Sequence, residues 1–189
     1  MTTSTSSAID LSGDYVLDVA HTQLGFVARH AMVTKVHGRF REFTGNAHLD
    51  AAHPERSTAS VAIEARSIDT GNADRDAHLR SNDFLDMEHH SQITFDSTAV
   101  EKVDDEHYRM TGDLTIKGTI RAVTVDFVFT GVALDPFGNV RAGFEGSCTL
   151  NRKDWGVAWN APLETGGMLV SDKVNLEIEV SAVKQQPTG

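Results

Sequence analysis

The segment Asp172–Val183 alternates without a break. Its even positions are Val174, Leu176, Ile178, Val180 and Ala182, and its odd positions are Lys173, Asn175, Glu177, Glu179 and Ser181. Successive side chains of an extended strand point to opposite faces. A two-residue period this long therefore describes a strand with one face buried and one in water, and excludes an amphipathic helix.

The same period recurs along the chain. Tyr108, Met110, Gly112, Leu114 and Ile116 form one row, Val123, Val125, Phe127 and Phe129 a second, and Ala142, Phe144, Gly146, Cys148 and Leu150 a third. Shorter runs are Val61-Ile63-Ala65, Ile93-Phe95-Ser97-Ala99 and Phe43-Ala47-Leu49, with further strands around Tyr15–Asp18 and Leu24–His30. Turn chemistry separates the runs at Val103-Asp104-Asp105-Glu106 and at Asp135-Pro136-Phe137-Gly138-Asn139. The apolar parity shifts by one between Phe40 and Phe43, which predicts a β-bulge near Arg41. One stretch departs from the period. Asn72–Arg80 has an N-capping Asn, acidic residues in its first turn and no β-branched residue, so it predicts a short helix, with a further capped turn over 81–86. Lys153–Ser171, which holds Trp155, Trp159, Pro162 and Gly166-Gly167, reads as a long loop.

About eight long antiparallel strands and one short helix predict an all-β fold: an extended, up-and-down β-barrel. A strand of ~12 residues at ~3.3 Å per residue, tilted by roughly 40°, gives a barrel about 30 Å tall. Its inward rows carry almost no charge and are punctuated by small residues such as Gly45, Ala47, Ser97, Ala99, Gly112, Ala142, Gly146 and Ala182. Two readings follow: small and large residues interleave to fill the taper, or the interior has room for an apolar ligand. By parity, Phe43, Phe95, Phe127, Phe129, Phe144 and Leu176 line that interior. Burying a methylene is worth about 0.8 kcal/mol gross, before the cost of ordering the chain.

The remaining arithmetic narrows the function classes. The 189 residues suffice for one domain, expected over 14–184, with solvated tails at 1–13 and 185–189. There are 17 Lys and Arg against 27 Asp and Glu, a formal charge of −10, which disfavours a nucleic-acid partner. The single cysteine, Cys148, leaves no intramolecular disulfide and no multi-cysteine zinc site. No apolar run approaches the ~18 residues of a transmembrane helix. Met1–Gly13 has neither a basic start nor an apolar core, so a cytoplasmic location without a signal peptide is the expectation.

Several blocks occur together in order: Tyr15–His21, Phe26-Val-Ala-Arg-His30, Arg75–Ser81 followed by Phe84-Leu-Asp86, Ile93-Thr-Phe95, Gly112–Gly118, Asn151–Gly156 and Val170–Val174. With this set the chain resembles the YceI-like family of polyisoprenoid-binding proteins over roughly Asp14 to Lys184. The resemblance implies a lipocalin-like barrel with a helix at one side. It further implies a long isoprenoid chain, such as a polyprenyl lipid or the tail of an isoprenoid quinone, held inside for storage or transport, and a homodimer. Many members of the family are exported to the periplasm, and the missing signal segment departs from that pattern.

Candidate chemistry is sparse. Nine histidines raise the question of a metal, but His89-His90 would point to opposite faces of a strand and no H-E-x-x-H is present, so neither metal nor cofactor is expected beyond the lipid ligand. No G-x-S-x-G, G-x-G-x-x-G or P-loop occurs, and Cys148 has the inward parity of an inert thiol. The expectation is a binding protein rather than an enzyme, with Phe26, His30 and the loop residue Trp155 joining the six parity-assigned residues as the ligand-binding set. His21, Arg29 and His30 could contact a headgroup at the barrel mouth, and Trp155 and Trp159 could cover or plug one end. The alternatives are an enzyme acting on a lipophilic substrate, with His21, Arg29 or His30 as acid–base groups, and a packed structural barrel.

Overall fold

The structure, a computed structural model, describes residues 9–187. Eleven strands and one helix follow in chain order: β1 (Gly13–Leu17), β2 (Gln23–His30), β3 (Thr34–Phe40), β4 (Phe43–Leu49), β5 (Thr58–Glu64), β6 (Ile68–Asp69), α1 (Ala73–Arg80), β7 (Gln92–Lys102), β8 (His107–Ile116), β9 (Thr119–Leu134), β10 (Val140–Asn151) and β11 (Lys173–Lys184). All pairings are antiparallel, in the order β1-β4-β5-β7-β8-β9-β10-β11-β2-β3-β6, and β1 also pairs with β11.

That order is an eight-stranded closed barrel in which three wall strands are broken. β1 and β2 share the same flank of β11, Tyr15 opposite Lys184 and Val27 opposite Asn175. β4 pairs with β1 and β3 with β2, so β3 and β4 form the next wall strand; β5 and β6 form the third. Each break is mended by side chains. At the first, the Thr22 hydroxyl donates to the Ser181 carbonyl and accepts from the Ser181 amide. At the second, where parity predicts a bulge near Arg41, the Arg41 amide donates to the Ser67 carbonyl and to its Oγ, across to the 3₁₀ turn Ala65–Ser67 that breaks the third strand. A barrel wall tolerates such interruptions because the orphaned backbone groups still find partners.

The even row of β11 faces inward throughout, as do the predicted rows of β8, β9 and β10. The carboxylates Asp113, Asp126, Glu145, Glu177 and Glu179 all lie exposed on the outside. One predicted row is interrupted. The register of β7 slips between Ser97 and Ala99, so Val100 rather than Ala99 follows Ser97 on the face paired with the inward row of β8. The helix forms where predicted: Asn72 accepts from the Arg75 amide at 2.9 Å, and Asp74 and Asp76 lie in the first turn.

Packing is concentrated at the two ends. At one, Tyr15, Ala142 and Ala182 are buried against Leu17, Ala47, Leu49, Phe129, Phe144 and Val180. Leu11 joins this cluster and accepts from the Tyr15 hydroxyl at 2.8 Å, so the described part of the expected N-terminal tail is docked on the barrel; residues 1–8 lie outside the described residues. At the C-terminal side the Gln185 amide donates to the Asp14 carbonyl, and residues 188–189 lie outside the described residues. At the opposite end, Phe84, Ile93, Leu114, Val123, Trp155 and Val157 form a plug supplied by the segment after α1 and the segment between β10 and β11.

Candidate functional site

Three inward phenylalanines lie flat against the wall because the neighbouring strand offers a glycine. The Phe26 ring covers Gly38, Phe95 covers Gly112 and Phe127 covers Gly146; a methyl group at any of these glycines would fall within 3.0 Å of a ring carbon. The interior space expected at Gly112 and Gly146 is thus taken up by rings, and that at Gly45 by Leu17. Glycine lets each ring lie against the backbone of the neighbouring strand.

The predicted ligand-binding residues divide into three groups. Phe26, Phe95, Phe127, Phe129, Phe144 and Leu176 face inward and remain partly accessible although the wall is closed around them. Leu176 lies opposite Cys148 on one side and Phe26 on the other, and Phe26 stands 5.9 Å from Phe40. Phe129 and Phe144, 5.3 Å apart, border the Tyr15 cluster. Phe43 and Trp155 are buried; the Trp155 Nε1 donates to the Leu114 carbonyl at 2.9 Å, so this tryptophan is a component of the plug rather than a movable cover. His30 stands apart, exposed at the end of β2 beside Val170. Leu24, Phe40, Met110 and Ile178 also line the interior, outside the predicted ligand-binding set. Met110 and Ile178 belong to rows that alternation already turns inward, the row Val36-Gly38-Phe40 carries the same signal for Phe40, and Leu24 joins them by pairing with both Phe40 and Ile178.

The Cys148 thiol, on the inward row of β10, is pushed up to about 11 by burial, with Asp126 adding to the effect. It is a neutral, apolar neighbour for a ligand. The plug is organised by Arg152, whose buried guanidinium donates to the carbonyls of Ser171, Val157, Trp159 and Val170 and stands 3.8 Å from Asp172. This holds the predicted long loop in place, and its first turn, Arg152–Trp155, is a short 3₁₀ helix.

The histidines are accounted for locally. His21, His48, His53, His78, His89 and His107 each pair with a carboxylate, five of them within five residues along the chain of their partner. His89 and His90 lie in a turn rather than on a strand, and the Asp86 hydrogen bond raises the His89 pKa. Among the described residues no group of three or more His, Cys, Asp and Glu converges on a common point. His21 sits at the break between β1 and β2, away from either mouth, and Arg29 lies on the outer face, donating to the Val33 carbonyl.

Two concavities mark the outside. One of ≈ 260 Å³ lies at the first break, lined by His21, Thr22, Arg39, Arg41 and Glu179 together with Phe40 and Phe43. The larger, ≈ 680 Å³, follows the outer face of β8–β11 past Arg109, Asp126, Glu145, Glu177 and Glu179. Its charged lining suits an apolar chain poorly, so the inward rows are the stronger candidate.

The profile of one protein family, the YceI-like domain, matches residues 15–182. A UPF0312 protein of Azotobacter vinelandii is 36% identical over 177 residues, covering 93% of this chain and 89% of the relative. One from Ectopseudomonas mendocina is 39% identical over 149 residues, 78% of each chain. Among solved structures, the Campylobacter jejuni YCEI protein superposes with a TM-score of 0.73 at 32% identity, over 90% of this chain and 97% of that one. A polyisoprenoid binding domain from Saccharophagus degradans shares the fold, with a TM-score of 0.68 at 14% identity, over 90% and 98% of the two chains.

Proposed function

Because this chain belongs to the YceI-like family, we propose that its barrel holds a long apolar chain of isoprenoid type, a polyprenyl lipid or the tail of an isoprenoid quinone, for storage or transport. The observation that carries this reading is the residual accessibility of Phe26, Phe95, Phe127, Phe144 and Leu176 inside a closed wall. A filled barrel would bury these side chains completely, as the two end clusters bury Tyr15 and Trp155. The polyisoprenoid-binding domain with the same fold supports the choice of ligand class.

Binding here needs no catalytic group. A prenyl chain gains about 0.8 kcal/mol gross for each methylene buried, and the lining offers aromatic faces in place of charges. The homodimer implied by the resemblance belongs to the same proposal.

Organic-solvent extraction of the purified protein followed by mass spectrometry tests the reading. A prenyl lipid or quinone in the extract, or stoichiometric uptake when one is supplied, is expected. Cys148 gives a second readout: bound prenyl chain slows alkylation of this thiol in the native protein. An empty extract together with no uptake and no protection of Cys148 overturns the proposal.

A further inference from the structure

The turn joining β2 to β3 breaks the chemistry such turns prefer. The connection runs over 31–33, and a turn whose two central residues both take positive φ normally carries Asn-Gly there. Here the pair is Ala31 at φ 51° and Met32 at φ 61°, closed by the Val33 amide donating to the His30 carbonyl. The residues placed at this tip are apolar and exposed: Met32 is 55% accessible and Val33 74%. Met168, 42% accessible, belongs to the adjoining loop, which is held against the tip by the Ala31 amide donating to Leu169 and by Gly167 next to Met32.

Behind the tip the charge reverses relative to the molecule as a whole. Arg29 and Lys35 are direct cross-strand partners, and His37 and Arg39 continue the same outward face of β3. Lys173 extends it onto the start of β11. Among the described residues Arg29, Lys35, His37 and Lys173 have no carboxylate partner within 4.0 Å, while Arg39 lies opposite Asp69. Two like charges directly opposite across a ladder cost stability, and a chain of net charge −10 has carboxylates to spare for pairing them. Glu164, in the adjoining loop, is the one carboxylate of that turn.

An exposed apolar tip followed by a basic shaft matches an interface of hydrocarbon edge and anionic headgroups. We propose that the β2–β3 hairpin docks this end of the barrel on an anionic lipid bilayer, Met32 and Val33 entering the headgroup boundary with Met168 beside them while Arg29, Lys35 and Lys173 meet lipid phosphates. Among the other exposed apolar residues at hairpin turns, Phe137 in the β9–β10 turn is 88% accessible but sits beside Asp135, which pairs with Arg141, and Ile120 after the β8–β9 turn is 59% accessible between Lys117 and Arg121, which donate to backbone carbonyls. Charge complementarity sets the β2–β3 tip apart from the Phe137 tip. This docking does not depend on what the barrel carries.

Co-sedimentation with sucrose-loaded vesicles tests it, using the full chain with phosphatidylcholine alone or with about one-third phosphatidylglycerol. The protein is expected to sediment with the mixed vesicles at low salt and to be released at about 0.5 M salt. Arg29→Gln with Lys35→Gln lowers partitioning about fivefold per charge, and Met32→Asn with Val33→Ser lowers it about tenfold or more. Phe137→Ser leaves it unchanged. Asn tolerates positive φ better than Met, so the tip variant keeps its melting temperature and loss of binding cannot be blamed on unfolding. Absence of sedimentation with mixed vesicles overturns the proposal, as does binding that ignores both hairpin variants. Tip variants that convert a dimer to a monomer in sedimentation velocity, without vesicle binding, overturn it in favour of a subunit contact. Solvent extraction reads the cargo separately, so either proposal can fail while the other stands.

Discussion

The pairing of Gly146 with the Phe127 ring couples local packing to capacity at the scale of a single residue. Glycine inside a strand costs roughly 1 kcal/mol in backbone entropy, and here that cost lets a ring lie against the wall. In Gly146→Ala the new methyl meets the ring and turns it toward the axis. The expected outcome is a folded barrel, destabilised by about 1–3 kcal/mol, that takes up less prenyl ligand. Denaturant titration and ligand uptake measure the two effects separately. The inward rows holding Phe127 and Leu176 were legible in the sequence because burial on one face imposes a two-residue period. The ring-over-glycine contacts were not, because they depend on which residues oppose each other across strands, and alternation fixes the face without the register. Ala99 shows the same limit: one slipped residue in β7 changes the register, and composition around it gives no sign.

The plug between β10 and β11 depends on Arg152 at the scale of the element. Its guanidinium serves four backbone carbonyls from one buried position, and burial pulls its pKa below the ordinary arginine value while Asp172 opposes that shift. Arg152→Met keeps most of the volume but orphans these acceptors. A loss of about 3 kcal/mol or more is expected, since each unsatisfied buried carbonyl costs about 1–3 kcal/mol. Hydrogen exchange checks the location: amides over 156–171 are expected to lose protection first, with the ladder of β8 and β9 unaffected. This element was invisible as structure in the sequence, which shows only an aperiodic stretch with two tryptophans and two glycines. Its order comes from a side chain that reaches carbonyls up to 19 residues away. The helix α1, by contrast, was legible because its signals, Asn72 and the acidic first turn, are local.

At the scale of the whole molecule, the excess of carboxylates lies outside the barrel, and some are set against each other. Glu145 and Glu179 are direct partners across β10 and β11, beside Glu177 and Asp126 in the outer concavity along β8–β11. Glu179→Lys replaces a repulsive pair with an attractive one. It is expected to raise stability by roughly 0.2–1 kcal/mol, an increment that shrinks as salt is added. Thermal denaturation at two ionic strengths measures it. The overall architecture was legible as about eight strands because each half of a broken strand retains the parity of its own run. The breaks at residues 18–22 and 65–67 were not, since the groups that mend them, Thr22 with Ser181 and Ser67 with Arg41, are distant in the chain.

The double role of β11 bears on how the chain is made. This strand closes the wall by pairing with β10 on one side and with both β1 and β2 on the other, and it follows every other strand in chain order. While the chain emerges from the ribosome, no order of pairing among β1 to β10 can shut the cylinder. Until Lys173–Lys184 is synthesised, the nascent protein carries two unpaired edges and an apolar inner face open to the surroundings. Such a species is prone to edge-to-edge association.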